Sequence, residues 1–172
     1  MFKFDTQKTT LAALAVGLAA ISQGAFAQTT ASVGVSATVG ANCVVSTTPI
    51  AFGVYSPVAV PPTDATGTVS LTCTIGAVPT IGLDNGLNFS SGTRRLASAG
   101  NFINYNVFQP LTNAASAACS YTTPYPAVAA PFVLTAAPSG AARIYNLCGR
   151  MPALQAAVVG TYSDTITATV NF

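Results

Sequence analysis

Residues 28–39 read QTTASVGVSATV, and the apolar members Ala31, Val33, Val35, Ala37 and Val39 alternate with small polar ones. A period of two predicts a β-strand with one apolar face. The last stretch, residues 161–172, repeats the pattern, with Tyr162, Ile166, Ala168, Val170 and Phe172 on one side and Ser163, Thr165, Thr167, Thr169 and Asn171 on the other. Asp164 falls on the apolar side, near the strand start.

The chain between these ends reads as short strands with turn signals. Residues 66–75 place Val69, Leu71, Cys73 and Ile75 on one face, so Cys73 is expected to point into a core. Residues 49–55, 80–83, 102–108, 132–135 and 142–148 read as further strands. They are separated by a Pro-Pro-Thr-Asp cluster at 61–64, Asp84-Asn85-Gly86, and Pro138-Ser139-Gly140, all turn chemistry. Residues 110–131 loosen into Ala, Ser, Thr and Pro and are expected to form a surface excursion held by Cys119. Residues 151–159 suit either one or two helical turns or a loop.

The beginning of the chain follows a different rule. Lys3 and Lys8 precede an apolar run over residues 11–21 and an Ala25-Phe26-Ala27 site, the form of a secretory signal peptide cut after Ala27. The run has about half of the roughly 20 residues a membrane-spanning helix needs. The expected organisation is a cleaved signal over residues 1–27, an N-terminal strand over 28–40 and one β-sandwich domain over 41–172.

Removing 27 of the 172 residues also removes both lysines and Asp5. What is left is Arg94, Arg95, Arg143 and Arg150 against Asp64, Asp84 and Asp164, four positive charges less three negative, a net charge of +1. With no histidine, glutamate or remaining lysine, the usual general acids and bases are nearly absent, so the composition argues against an enzyme. It also cannot assemble a basic nucleic-acid face. Thr, Ser, Asn and Gly supply most of the polarity, which is the composition of a secreted all-β domain. So few charges leave strand edges with little to stop them pairing with another chain.

Cys43, Cys73, Cys119 and Cys148 allow three pairings in an exported chain. No two have the close spacing of a zinc knuckle, and no metal or cofactor is expected. The favoured pairs are Cys43 with Cys73 and Cys119 with Cys148, each closing a loop of about 30 residues worth roughly 3 to 4 kcal/mol in the chain-entropy model. Arg94-Arg95 reads as a solvated turn rather than an anion site, and the Asn88-Phe89-Ser90 sequon is too short a pattern to carry weight.

Cys43, the run Ala51-Phe52-Gly53-Val54-Tyr55, then Val69 to Cys73, Gly86-Leu87-Asn88, Arg95-Leu96, Asn104 to Phe108, and the ending Tyr162-Ser163-Asp164-Thr165 to Val170-Asn171-Phe172 together resemble the spore coat protein U domain family. That family includes the pilins of archaic chaperone-usher pili. The resemblance covers essentially all of the chain after residue 27; the Ala-rich insertion around Cys119 departs from it. It implies an incomplete immunoglobulin-like β-sandwich, all-β, that lacks its last strand and is completed by a donor strand from a neighbouring subunit. The donor strand maps onto Ala31, Val33, Val35, Ala37 and Val39, and the acceptor groove edge onto Tyr162, Ile166, Ala168, Val170 and Phe172. The implied partners are other copies of the chain in a linear homopolymer, a periplasmic chaperone, an outer-membrane usher and a tip adhesin. The implied destination is an extracellular adhesive pilus, and the competing reading is a tip or minor adhesin that binds a surface or receptor, with Tyr121 and Tyr125 in the loose loop as contacts.

Overall fold

The computed structural model describes residues 27–172, so the expected signal segment lies, but for Ala27, outside the described residues. Nine β-strands and no helix occur among the described residues. Contacts divide the chain after Ala37, and residues 27–42 form no strand. The side chains of Val33 and Val35 are 85% and 92% exposed. Their alternation is therefore a strand pattern without a ladder, as expected of a segment that lacks a partner strand.

Six strands build the larger sheet, in the order β1 (Cys43–Thr48), β2 (Thr63–Cys73), β8 (Arg143–Met151), β5 (Asn101–Pro110) and β4 (Arg94–Ser98), with β6 (Cys119–Pro124) also joined to β5. The smaller sheet runs β7 (Phe132–Val133), β3 (Thr80–Leu83), β9 (Ala168–Asn171). Every strand pair is antiparallel. The alternation predicted around Cys73 holds up to that residue: Val69, Leu71 and Cys73 are buried, packed with Tyr105, Val107, Tyr145, Leu147 and, from the smaller sheet, Ile81 and Leu83, whereas Ile75 lies past the end of β2 and is exposed.

Both favoured disulfides form, Cys43 with Cys73 and Cys119 with Cys148. The first joins directly paired residues at the end of β1 and β2. The second explains the insertion. Leu147 packs into the core, so Cys148, the next residue on β8, points to the outer side of the sheet, and it is nevertheless fully buried. The excursion over residues 110–131 covers it. The Ser116 N–H donates to the Ile144 carbonyl at 2.7 Å, the Asn146 side chain donates to the Ala117 carbonyl at 2.9 Å, and Tyr121 meets the edge of Phe108 and lies under the Arg150 guanidinium. Arg150 in turn forms a two-pronged ion pair with Asp64.

Several predicted elements differ. Residues 49–55 form an irregular strap rather than a strand, and Thr63 and Asp64 belong to β2 rather than to a loop; of the two forms open for residues 151–159 the structure has the loop, from Pro152 on, with Met151 still in β8. Arg94-Arg95 opens a strand instead of a solvated turn: Arg94 is only 9% exposed and gives two hydrogen bonds to the Asp84 carbonyl, while Arg95 stacks on Phe102.

Candidate functional site

The two sheets cover each other unevenly. On β1, Val45 pairs with Leu71 and Thr47 with Val69, so both point to the side that forms the core. Leu71 and Val69 are fully buried, yet Val45 is 41% exposed and Thr47 is exposed as well. The inner side of β1 thus lacks a covering layer.

The opposite wall comes from residues 161–172. This segment does not run as one strand in one sheet. Ser163 and Ala97 of β4 exchange backbone hydrogen bonds, the Thr165 carbonyl accepts from Leu87, and the Thr167 carbonyl accepts from Asp84 before β9 settles on β3. It passes from the edge of the larger sheet to the edge of the smaller one, and only Ala168–Asn171 forms a regular ladder. Along the way Tyr162, Asp164, Ile166, Ala168 and Val170 are half-buried, as the alternation requires, whereas Phe172 is exposed. In its own sheet β9 pairs with β3 alone, so one edge of it is free among the described residues.

Asp164, the polar member of that row, is held by its own chain. Its Oδ1 accepts from the Leu87 N–H at 3.0 Å, the Asn88 N–H at 3.2 Å and the Asn88 side chain at 3.1 Å, and its Oδ2 accepts from the Tyr105 hydroxyl at 2.7 Å. These partners make a carboxylate tolerable on an apolar face. They also commit an N–H of the Asn88 side chain. Burial raises the Tyr105 phenol well above its ordinary pKa, and the hydrogen bond to Asp164 and that carboxylate's charge push the same way. Gly86 is required beside them: its φ is +78°, and a Cβ there would collide with the Asp164 carboxylate.

Next to this, Asp84 accepts from Thr167 N–H at 2.8 Å and Gly86 N–H at 3.0 Å. Desolvation opposes its charge, but the bonds from Thr167 and Gly86 and the nearby Arg94 prevail and lower its pKa.

The strap over residues 49–55 forms the remaining wall. Ile50 and Phe52 sit over two glycines of the larger sheet: a Cβ on Gly67 would lie 2.7 Å from Ile50 Cγ1, and one on Gly149 would strike Ile50 and come within 2.9 Å of Phe52 Cζ. The missing side chains are the notch into which the strap fits, which is why these apolar residues settle there without a ladder. Its far end is pinned by the Tyr55 hydroxyl, which donates to the Pro152 carbonyl and accepts from the Gln155 N–H.

Between strap and final segment lies an open cleft in two adjoining parts of about 660 and 440 Å3. Of the expected edge residues, Tyr162 lines the first part, and Ile166 and Ala168 line the second. Val170 and Phe172 lie beyond both. Thr47, Ile50, Phe52, Leu83, Leu96, Ile103 and Met151 are among the other lining residues. None of these was predicted, because the pattern of a single stretch cannot tell which of its buried positions faces an opening. Apolar side chains share this lining with Thr47, Ser163, Asp164, Thr165 and Thr167, and no group of three potential metal ligands occurs among the described residues.

The Spore Coat Protein U domain family is matched over residues 29–169. None of the curated proteins matches the chain. Among solved structures, a chain of the CsuC–CsuE chaperone–tip adhesion subunit pre-assembly complex, from the archaic chaperone-usher Csu pili of Acinetobacter baumannii, is similar with a TM-score of 0.55 at 19% identity. The match covers 78% of this chain and 40% of that one, so it spans well under half of the neighbour's length and speaks for the fold.

Proposed function

This chain belongs to the Spore Coat Protein U domain family, and from that premise we propose that it is a structural subunit of an extracellular chaperone-usher pilus, polymerising by donor-strand exchange. The observation that carries this is the uncovered inner side of β1, where Val45 is exposed beside buried Leu71, facing a final segment whose inward row is only half-buried. A sandwich open along that line lacks one strand.

The occupant is residues 28–39 of a second copy. Ala31 to Val39 covers eight residue steps, or about 27 Å in extended form, against six steps, or about 20 Å, from Tyr162 to Ala168, the edge residues that line the cleft, so the apolar row is long enough to fill it. Val33, Val35 and Val39 are exposed in the subunit and would each contribute roughly 1.5 to 3 kcal/mol on burial. Backbone hydrogen bonds to the free edge supply the rest of the attachment, and alternate side chains supply register. Export with a cleaved signal, a periplasmic chaperone that shields the cleft and an outer-membrane usher that exchanges it for the next subunit follow from this reading. The segment 28–39 favours a fibre subunit over a tip adhesin, which would have no use for a donor.

The test is to release the purified subunit from its chaperone and follow assembly. Linear fibres that persist as ladders in unheated detergent gels support the proposal. Stable monomers whose cleft takes up no peptide of residues 28–40 overturn it.

A further inference from the structure

Arg143 and Tyr145 are paired with Leu71 and Val69 and so lie on the inner face of β8, where they are only 9% and 0% exposed. Tyr125, 4% exposed, joins the same core from the segment that follows β6. The Arg143 guanidinium carbon lies 5.6 Å from the centre of the Tyr145 ring, and its Nη1 donates to the carbonyls of Thr135 and Ala136 at 2.7 and 3.3 Å. The Tyr125 ring meets Phe132 edge-on at 5.7 Å, so the segment that supplies Tyr125 also anchors Arg143. Burial raises the Tyr125 phenol above its ordinary pKa, and the neighbouring Tyr145 phenol pushes the same way, so Tyr125 keeps the proton it can donate.

Arg143 Nε and Nη2 and the hydroxyls of Tyr125 and Tyr145 are buried without a hydrogen-bond partner among the described residues. Buried polar atoms are ordinarily paired. Nε and Nη2 form the side of a guanidinium that grips an anion with two prongs, and Arg150 uses that same side for Asp64 at 2.6 and 2.7 Å. The chain offers Arg143 no equivalent. Asp84 is engaged by Thr167 and Gly86, Asp164 by Leu87, Asn88 and Tyr105, and the Arg150–Asp64 ion pair is the only one among the described residues. Glutamate is absent from the sequence. A guanidinium keeps its charge when buried, and a buried charge calls for an opposite one.

We propose that Arg143, Tyr145 and Tyr125 bind a small monovalent anion, such as chloride, inside the core. One negative charge cancels that of Arg143, whereas a divalent anion leaves an excess. Bound there, the anion ties the segment after β6 to β8. None of the three residues lines the cleft, so the site is separate from strand exchange.

The test is urea unfolding of the exported chain, kept from assembling by Val35→Asp, with bromide as the probe replacing the bulky anion gluconate at fixed ionic strength. Above the dissociation constant, each tenfold rise in bromide is expected to shift the folding equilibrium about tenfold toward the native state. Tyr145→Phe and Tyr125→Phe delete hydroxyls that no chain atom satisfies, so both should be at least as stable as the parent in gluconate, yet bind bromide about tenfold more weakly. Arg143→Met should abolish the bromide response, and if it does not fold, the two tyrosine substitutions decide alone. A stability indifferent to bromide, the result that buried water would give, overturns the proposal. So does a bromide response that survives Arg143→Met or is unchanged by both Tyr145→Phe and Tyr125→Phe, which marks a general salt effect.

Discussion

Val35→Asp separates the fold of the subunit from its assembly. Val35 is 92% exposed and belongs to no strand, so the substitution should change subunit stability by no more than about 0.5 kcal/mol. In the fibre the same position would be enclosed by cleft side chains such as Ile50, Phe52 and Leu96, which line both of its parts. Aspartate there forfeits the roughly 1.5 to 3 kcal/mol of valine burial. Its carboxylate must also either enter an apolar cleft charged, at several kcal/mol, or enter neutral. Protonating it at pH 7, about three units above its ordinary pKa, costs about 4 kcal/mol. The total of about 6 kcal/mol corresponds to roughly four orders of magnitude in association. Electron microscopy and unheated detergent gels should show no fibres, while a complex with the chaperone should still co-purify, since in the proposed pathway the chaperone would occupy the cleft and not the donor. Ser36→Asp, one residue along on the polar face, should polymerise normally. Fibres of ordinary length from Val35→Asp, or an equal block by Ser36→Asp, would refute the alternating-face argument.

Other expectations concern the acceptor domain, measured on the same non-polymerising background. Asp164→Ala removes the acceptor of three N–H groups and the Tyr105 hydroxyl and should cost about 2 to 4 kcal/mol in urea unfolding, with Asp164→Asn losing less. Removing the Cys119–Cys148 pair as a double serine variant should cost roughly 3 to 4 kcal/mol and free the insertion to proteolysis, while donor-peptide affinity holds. Stability should fall at both extremes of pH. Asp84 has a lowered pKa, so its contribution is present above the ordinary value of 3.8 and is lost as pH falls through the lower folded-state value. Tyr105 has a raised one, so its contribution is present below 10.0 and is lost as pH rises past it, which a phenolate absorbance titration alongside unfolding would detect.

The half-buried row of residues 162–170 was legible because its information is local: a period of two needs only neighbouring residues. The cysteine pairing was legible from loop lengths. The strap was not, since Ile50, Phe52 and Val54 alternate like a strand, and what prevents a ladder is a notch at Gly67 and Gly149 on other strands. Strand β4 was hidden because Arg94-Arg95 looks solvated until the Asp84 carbonyl is placed beside it. The run of contacts from Phe52 through Tyr105 to Asp164 is the least legible feature, for these residues stand more than fifty positions apart along the chain.

The Cys43–Cys73 bond also has a mechanical meaning. In a fibre built as proposed, each subunit hangs from its predecessor by residues 28–39, so tension reaches the domain a few residues later, at Cys43. Without the bond that pull would unzip β1 from β2 one hydrogen bond at a time, starting at their first pair. The disulfide passes the force sideways into Cys73, and so along β2, an interior strand flanked by β1 and β8. The Asn42 carbonyl, accepting from Thr74 at 2.9 Å, adds a second tie at the same point. Peeling becomes shear, and a filament joined by single strands gains tensile strength at its joints without any further contact between subunits.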